Sequence, residues 1–168
     1  CSLSLATSLS VCVPWTCVTV GSVSGGSSDV VGDHVGSPVY LANTVQNRVE
    51  FYSLAQRRLL TPIKTDGTPL AAAISRSGKV LYVVSKDASA LDIIDLATQA
   101  VVNRVTLPAQ PEGVAVGVDE RVLISTIGSG TGNLSNVLLL YDPSAQGGNA
   151  LAPVPVQPAP PVAANLHA

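Results

Sequence analysis

The sequence predicts an all-β protein in which short antiparallel strands are grouped into a repeating unit. Gly, Pro, Ser, Val and Ala are abundant among its 168 residues, whereas only 12% are charged and 4% aromatic, a composition typical of β-rich, loop-rich proteins. Residues 42 positions apart also match without a gap, which indicates a structural repeat. The matching pairs are Tyr40 and Tyr82, Leu54 and Leu96, Pro69 and Pro111, and Ala73 and Ala115.

The middle copy of the repeat contains four strand-like segments. They are roughly Val80 to Ser85, Ala90 to Leu96, Val101 to Leu107 and Gly113 to Gly117. Polar or Pro-containing turns separate them, as in an antiparallel sheet. The first segment is apolar at successive positions, so we expect its sheet to be covered on both faces by neighbouring sheets.

A side-chain oxygen follows the second strand of each unit. Asp95 precedes Leu-Ala-Thr-Gln, where its carboxylate is placed to bind the backbone of the next turn. Ser53 takes the same place in the first copy. A third copy begins where Leu123 falls on Leu81 and resumes where Asp142 falls on Asp95, after an insertion supplied by GSGTGNLSN.

Four strands in about 40 to 45 residues, repeated, are the signature of β-propeller blades. We therefore predict about two and a half to three four-stranded antiparallel blades in residues 37–151, with units at 37–75, 76–117 and 118–151. Residues 1–36 have no assigned structure except an inner strand around Asp29 to Val35, and residues 152–168 are a Pro-rich linker or tail. Since propeller rings have roughly 4 to 8 blades, we expect an incomplete ring and a longer parent protein.

The middle copy resembles the YVTN-family β-propeller repeats of bacterial and archaeal proteins. The residues that carry this resemblance are Leu81-Tyr82-Val83, Ile93-Ile94-Asp95, Val101 to Val105 and Pro111 to Val116. The resemblance covers roughly residues 37–142 and implies an exported, prokaryotic protein. Members include surface-layer and cell-surface proteins, and the broader superfamily includes lactonases and quinoprotein subunits.

The charge distribution argues against a nucleic-acid partner. The net charge is -2, and every Lys and Arg lies between Arg48 and Arg121, with only Arg57 and Arg58 adjacent. A phosphate backbone needs a basic stripe, which this sequence lacks.

The opening apolar stretch is too short and too serine-rich to span a bilayer, and it is weak as a signal sequence because no basic residue precedes it.

The three cysteines all lie near the beginning of the sequence. Cys12 and Cys17 form a local bridge or remain unpaired, and their CVPWTC spacing fits neither a CxxC redox motif nor a zinc site. Cys1 matches the mature end of a lipoprotein, but no lipobox precedes it. The cysteines are therefore interpreted as structural.

Motifs for catalysis or cofactor binding are weak. Gly128 to Asn133 (GSGTGN) lacks the Lys-Ser/Thr of a phosphate loop and precedes a strand, so it is interpreted as a loop. Gly21 to Gly25 (GSVSG) has Val23 where a nucleophile elbow needs Ser, and it is interpreted as turn-rich. A Ser-His-Asp arrangement would have to use His34, beside Asp33, because His167 is next to the last residue.

The acids are predicted to lie mostly at turns or strand edges. They are Asp87, Asp92, Asp95, Glu112, Asp119 and Glu120. No catalytic, cofactor or metal site is assigned.

The sequence favours a non-catalytic extracellular, periplasmic or cell-surface propeller module that binds a protein or glycan or serves as a scaffold. The remaining blades of the parent chain are predicted as its other partners. The alternative is a lactonase-like hydrolase or quinoprotein-type enzyme with its site at the central channel. That alternative requires polar residues at the ends of the inner strands, which supply chiefly Glu112.

Overall fold

The computed structural model describes residues 6–13, 16–24, 27–32, 38–127, 137–145 and 150–154, with side chains from residue 28 onward. The regular elements in this part of the chain are strands. They are β1 (Ala6–Val13), β2 (Thr16–Ser24), β3 (Ser27–Gly32), β4 (Val39–Asn43), β5 (Arg48–Ser53), β6 (Arg58–Leu59), β7 (Ile63–Lys64), β8 (Pro69–Ile74), β9 (Val80–Ser85), β10 (Ala90–Asp95), β11 (Ala100–Thr106), β12 (Gln110–Val116), β13 (Val122–Ile127), β14 (Leu138–Tyr141) and β15 (Leu151–Pro153).

The strands form three consecutive antiparallel sheets and one hairpin. The first sheet has the order β3-β4-β5-β6, and β7 continues its outer edge by pairing with β5. The second sheet has the order β8-β9-β10-β11, and the third has the order β12-β13-β14-β15. Strands β1 and β2 pair with each other. Each of the three sheets thus takes one continuous part of the chain.

Strand β9 is buried on both faces, as the sequence predicted. Tyr82 and Val84 pack against the third sheet, whereas Leu81 and Val83 pack against the first. Because side chains alternate across a strand, each apolar residue of the run serves one of two cores. The second sheet is therefore the middle layer of the three.

The backbone repeats as closely as the sequence does. Four-residue turns end in a non-glycine residue with positive φ at Asn47 and Ser89, and again at Arg57 and Gln99, each pair 42 residues apart. The left-handed backbone conformation at these residues gives the turns a twist that matches that of the flanking antiparallel strands. Each inner strand also starts with a bulge, between Ser27 and Asp29, Pro69 and Ala71, and Pro111 and Gly113. The skipped residues in the three bulges are again 42 apart.

The predicted turn oxygens are confirmed. The amide of Thr98 donates to Asp95 Oδ1 at 2.7 Å, the amide of Gln56 donates to Ser53 Oγ at 3.1 Å, and the amide of Ser144 donates to Asp142 Oδ1 at 2.9 Å. Hydrogen bonds from Thr98 lower the pKa of Asp95 because they favour the ionised carboxylate. Hydrogen bonds from Ser144 do the same for Asp142. These side chains hold the turns.

The sheets are offset by one strand from the predicted units. The segment Gly113 to Gly117 was predicted to complete the middle unit, but β12 pairs with β13 and so begins the third sheet. Short turns join β8 to β9 and β12 to β13, and this local pairing forms more readily than a return across a whole sheet. The described strands of the three sheets consequently fall within residues 27–64, 69–106 and 110–153.

The alignment of Leu123 with Leu81 is wrong by one residue. Ala73 pairs with Tyr82 in the second sheet, and Ala115 pairs with Leu123 in the third, so Leu123 takes the place of Tyr82. The turn after β12 closes between Gly117 and Arg121, one residue sooner than the turn between Ser75 and Val80. This deletion moves Leu123 to the opposite face of its sheet.

The N-terminal segment contains more regular structure than the sequence indicated. The inner strand predicted around Asp29 appears as β3, and its last predicted residues, 33–35, lie outside the described part. Residues 21–24, interpreted as turn-rich, belong to β2, in which the register places Cys17 opposite Cys12. At the other end, β15 includes the first residues assigned to the Pro-rich tail.

Tyr40 and Tyr82 occupy matching environments, both 3% exposed. Tyr40 pairs with Phe51 across strands and meets its ring edge-on at 5.0 Å, whereas Tyr82 pairs with Ile93 and meets Tyr141 of the third sheet at 6.3 Å. The aromatic partner thus differs, but the position in the sheet is conserved between the two copies.

Tyr82 gives the fold a dependence on alkaline pH. Burial, with a smaller contribution from Tyr141, raises the pKa of Tyr82 to about 12. The folded state disfavours the tyrosinate. The stability that the neutral Tyr82 contributes is therefore complete below pH ~10 and is lost between pH ~10 and ~12. We expect Tyr82→Phe to flatten this decline in urea-unfolding curves measured at increasing pH. An equally steep decline in the variant would contradict this assignment.

Candidate functional site

The inner strands β3, β8 and β12 border a cavity of about 500 Å³. Its lining side chains are mostly small and apolar, and the polar side chains among them are those of Ser75 and Arg76, directly after β8. The lining residues are Val31, Gly32, Ala72, Ala73, Ile74, Ser75, Arg76, Val114, Ala115 and Val116. Small side chains allow the inner strands to approach closely, so this surface is formed largely by the backbone.

Polar side chains of β3 form hydrogen bonds with the backbone of β8 at one end of this cavity. Asp29 Oδ2 accepts a hydrogen bond from the amide of Ala72 at 2.9 Å, and Ser28 Oγ donates to the carbonyl of Pro69 at 3.0 Å. Both bonds join adjacent sheets through their inner strands. Ser28 occupies the bulge of β3, so the bulge directs a hydroxyl towards the next sheet.

Glu120 links the second and third sheets through hydrogen bonds. Its two carboxylate oxygens accept hydrogen bonds from successive amides, Arg76 at 3.1 Å and Ser77 at 2.9 Å. Glu120 has a φ of 66°, a conformation that most side chains avoid. The carboxylate bonds offset the cost of this conformation. Glu120 is therefore engaged in joining sheets.

The other acids identified in the sequence are dispersed. Asp87 accepts a hydrogen bond from the Thr68 hydroxyl at 2.5 Å, and Asp119 lies 3.6 Å from Arg121. Glu112 is exposed and occupies the bulge of β12, in the place that Ser28 has in β3. Asp87, Asp119 and Glu112 thus lie at separate places.

Asp92 is the exception to the prediction that the acids lie mostly at turns or strand edges, which is confirmed for Asp87, Asp95, Asp119 and Glu120. Asp92 is in the middle of β10 with no exposed surface, and its Oδ1 lies 2.5 Å from Nε of Arg104 on β11. Arg104 also contacts Asp66 at 3.1 Å. The hydrogen bond to Asp92 raises the pKa of Arg104.

A second buried acid was missed in the sequence analysis. Glu50 on β5 is 2% exposed and binds Arg48 at 2.5 Å and the amide nitrogen of Asn43 at 3.1 Å. Glu50 and Asp92 are 42 residues apart. An acid recurring within apolar runs at the repeat interval was the available signal.

Several candidates lie outside the described residues. These are Cys1, Asp33, His34, Gly128 to Asn133 and His167. Among the residues that are described, no group of three or more His, Cys, Asp or Glu could hold a metal ion. The same part of the chain contains no helix able to cross a membrane.

The third sheet has an open apolar flank. Ala115, Leu123 and Leu140 stand side by side on β12, β13 and β14, and Leu138 is next to them. Leu123 is 38% exposed, whereas Tyr82, its counterpart in the second sheet, is 3% exposed because the third sheet covers it. The open flank thus corresponds to a face that is covered by another sheet elsewhere in the same chain.

Solved structures that are similar to this chain include the following two. Hydrazine synthase from Kuenenia stuttgartiensis matches with a TM-score of 0.64 and 17% identity over 70% of this chain and 33% of its own. The β-propeller domain of Swd1 from Myceliophteria thermophila matches with a TM-score of 0.65 and 14% identity over 79% of this chain and 40% of its own. No protein-family model matches, and neither does any curated protein.

These similarities extend to the fold alone. With three antiparallel sheets in consecutive order, the described part of the chain is an all-β, propeller-type structure of three blades in an incomplete ring. The chain spans about a third to two fifths of the length of these neighbours.

Proposed function

We propose that this chain is a non-catalytic binding or scaffolding module of a larger β-propeller. The observation that carries the proposal is how the described acids are used. Asp29 and Glu120 join adjacent sheets, Asp95 and Asp142 hold turns, and Asp92 neutralises an arginine. These groups maintain the frame, which leaves ligand recognition to the loops that connect the strands.

We propose further that the module belongs to an exported YVTN-type protein of a prokaryote and acts outside the cytoplasm, on a protein or glycan. The support is the resemblance of the middle blade, at Leu81 to Val83 and Ile93 to Asp95, to repeats of that family. Digestion of intact producing cells with an external protease tests the location. Loss of an epitope tag on this chain, with a cytosolic marker retained, is the expected result.

The proposed larger ring requires partners for the open flank. Leu123 and Leu138 are 38% and 42% exposed on one apolar face, where a further blade would cover them as the third sheet covers Tyr82. We propose that the remaining blades of the parent chain take this place. In the isolated chain, the same face is available for association with other copies.

We expect the isolated chain to self-associate and Leu123→Asp/Leu138→Asp to shift it to monomer in sedimentation velocity. Charge on the face opposes its burial, and we expect the apparent dissociation constant to rise at least about 100-fold, given several kcal/mol for each uncompensated buried charge. Val118→Asp is the matched control, because Val118 is 85% exposed in a turn. A wild-type chain that sediments as a clean monomer would contradict this prediction.

The binding role is tested against the enzymatic alternative with a simple aliphatic lactone as probe. We expect no hydrolysis above background for the chain within its complete parent protein. Hydrolysis that is abolished by chelation would overturn the proposal in favour of a metal-assisted enzyme. Binding of the wild-type protein to an immobilised surface glycan or protein, together with loss of that binding when the loops that connect the strands are replaced, would support the binding role.

A further inference from the structure

Two polar side chains, Ser85 and Asp92, lie at the interface between the first and second sheets. Asn43 and Glu50 belong to the first sheet, and Ser85 and Asp92 follow them at the repeat interval. In the second sheet, Asp92 pairs with Val83, and Ser85 lies two residues beyond Val83 on the same strand. Val83 packs against the first sheet. Ser85 and Asp92 therefore also face the first sheet.

The two pairs differ in how far their side chains reach. In the first sheet, Asn43 donates directly to Glu50 at 3.1 Å. In the second sheet, Ser85 has a hydroxyl where asparagine has a carboxamide, and Asp92 is shorter than glutamate by one methylene. No direct bond joins them, and Ser85 Oγ and Asp92 Oδ2 are both buried without a hydrogen-bond partner in the described part of the chain. A buried polar atom without a partner costs the free energy of its lost hydration, and a charged group costs more.

The local charges define what could bind between these atoms. Arg104 contacts Asp92 through Oδ1 and also contacts Asp66, so one arginine serves two carboxylates and Oδ2 still needs a donor. A water molecule can donate one hydrogen to Asp92 and the other to Ser85, or accept from Ser85. A sodium ion would require about five or six oxygen ligands, as hard cations do. The site offers two side-chain oxygens, which suits water.

We propose that an internal water molecule bridges Ser85 Oγ and Asp92 Oδ2 between the first two sheets. It replaces the direct amide bond that Asn43 makes in the preceding sheet. Internal waters of this kind bind polar groups that would otherwise be unsatisfied, and they contribute to the structure as a side chain does. The water thereby completes the hydrogen bonding of Asp92, whose other oxygen is bound by Arg104.

Two substitutions at one position test the proposal. Ser85→Ala removes one anchor of the water, and we expect its thermal midpoint to fall by about 3 to 6 °C. Ser85→Asn places an amide donor where the first sheet has one, so we expect it to retain the wild-type midpoint and to exclude the water. A high-resolution crystal structure of the complete chain should show the water within hydrogen-bond distance of both oxygens, and the Asn variant should lack it.

Three results would overturn the proposal. The first is a crystal structure that shows a direct Ser85–Asp92 bond or no density between the two oxygens. The second is a Ser85→Ala variant as stable as the wild type. The third is a wild-type midpoint that changes when sodium is replaced by potassium or choline at constant ionic strength, while that of Ser85→Asn does not. That result would identify a bound cation instead of water.

Discussion

Replacing Phe51 with alanine is expected to lower the free energy of unfolding by about 3–5 kcal/mol. Phe51 has no exposed surface, meets Tyr40 edge-on at 5.0 Å, and belongs to the core that joins the first two sheets. The alanine variant loses the transfer free energy of the ring, leaves a cavity between sheets and removes the aromatic pair. Urea unfolding followed by tyrosine fluorescence or circular dichroism measures the loss.

The repeat provides a matched control for Phe51. Ile93 occupies the same position in the second sheet, opposite Tyr82 as Phe51 is opposite Tyr40. We therefore expect Phe51→Ile to cost less than about half as much as Phe51→Ala, since an aliphatic side chain fills part of the space. Val102→Ala, on a residue that is 60% exposed, should be close to neutral. Equal losses for the two Phe51 variants would show that the aromatic contact determines stability.

The strands of the fold could be predicted from the sequence because they follow from local patterns. The apolar run of β9, the turn oxygens of Asp95 and Ser53, and the 42-residue period are each visible within a short segment. The grouping of strands into sheets was less accessible. Whether Gly113 to Gly117 closes one sheet or opens the next depends on a turn and on packing between sheets, which a strand pattern does not specify.

The polar contacts could be predicted only where they are local. Asp95 binds the turn three residues away, whereas Asp29 bonds to Ala72 and Glu120 to Arg76 across more than 40 residues. Such contacts depend on how neighbouring sheets are placed. The one-residue deletion after Glu120 was equally hard to predict from the sequence, because it changes the face of Leu123 without disturbing the apolar pattern of β13. The open flank therefore became visible only in three dimensions.

Replacing Arg104 with alanine is expected to cost about 3–5 kcal/mol, because it leaves the carboxylate of Asp92 buried without its ionic partner. Asp92 has no exposed surface and lies 2.5 Å from Arg104 Nε. Arg121→Ala is the matched control. Arg121 contacts Asp142 at 3.3 Å and Asp119 at 3.6 Å near the surface, where water screens the charges. We expect its loss to stay below about 1 kcal/mol.

A double-mutant cycle separates the buried charge from the packing of the arginine. Asp92→Asn removes the charge with little change in volume, so adding it to Arg104→Ala should recover a large part of the lost stability. The arginine side chain is 37% exposed, so its packing alone accounts for the smaller share. If Asp92→Asn recovers nothing in the Arg104→Ala background, the loss comes from packing of the arginine stem or from its contact with Asp66, and the buried charge is not what makes Arg104 necessary.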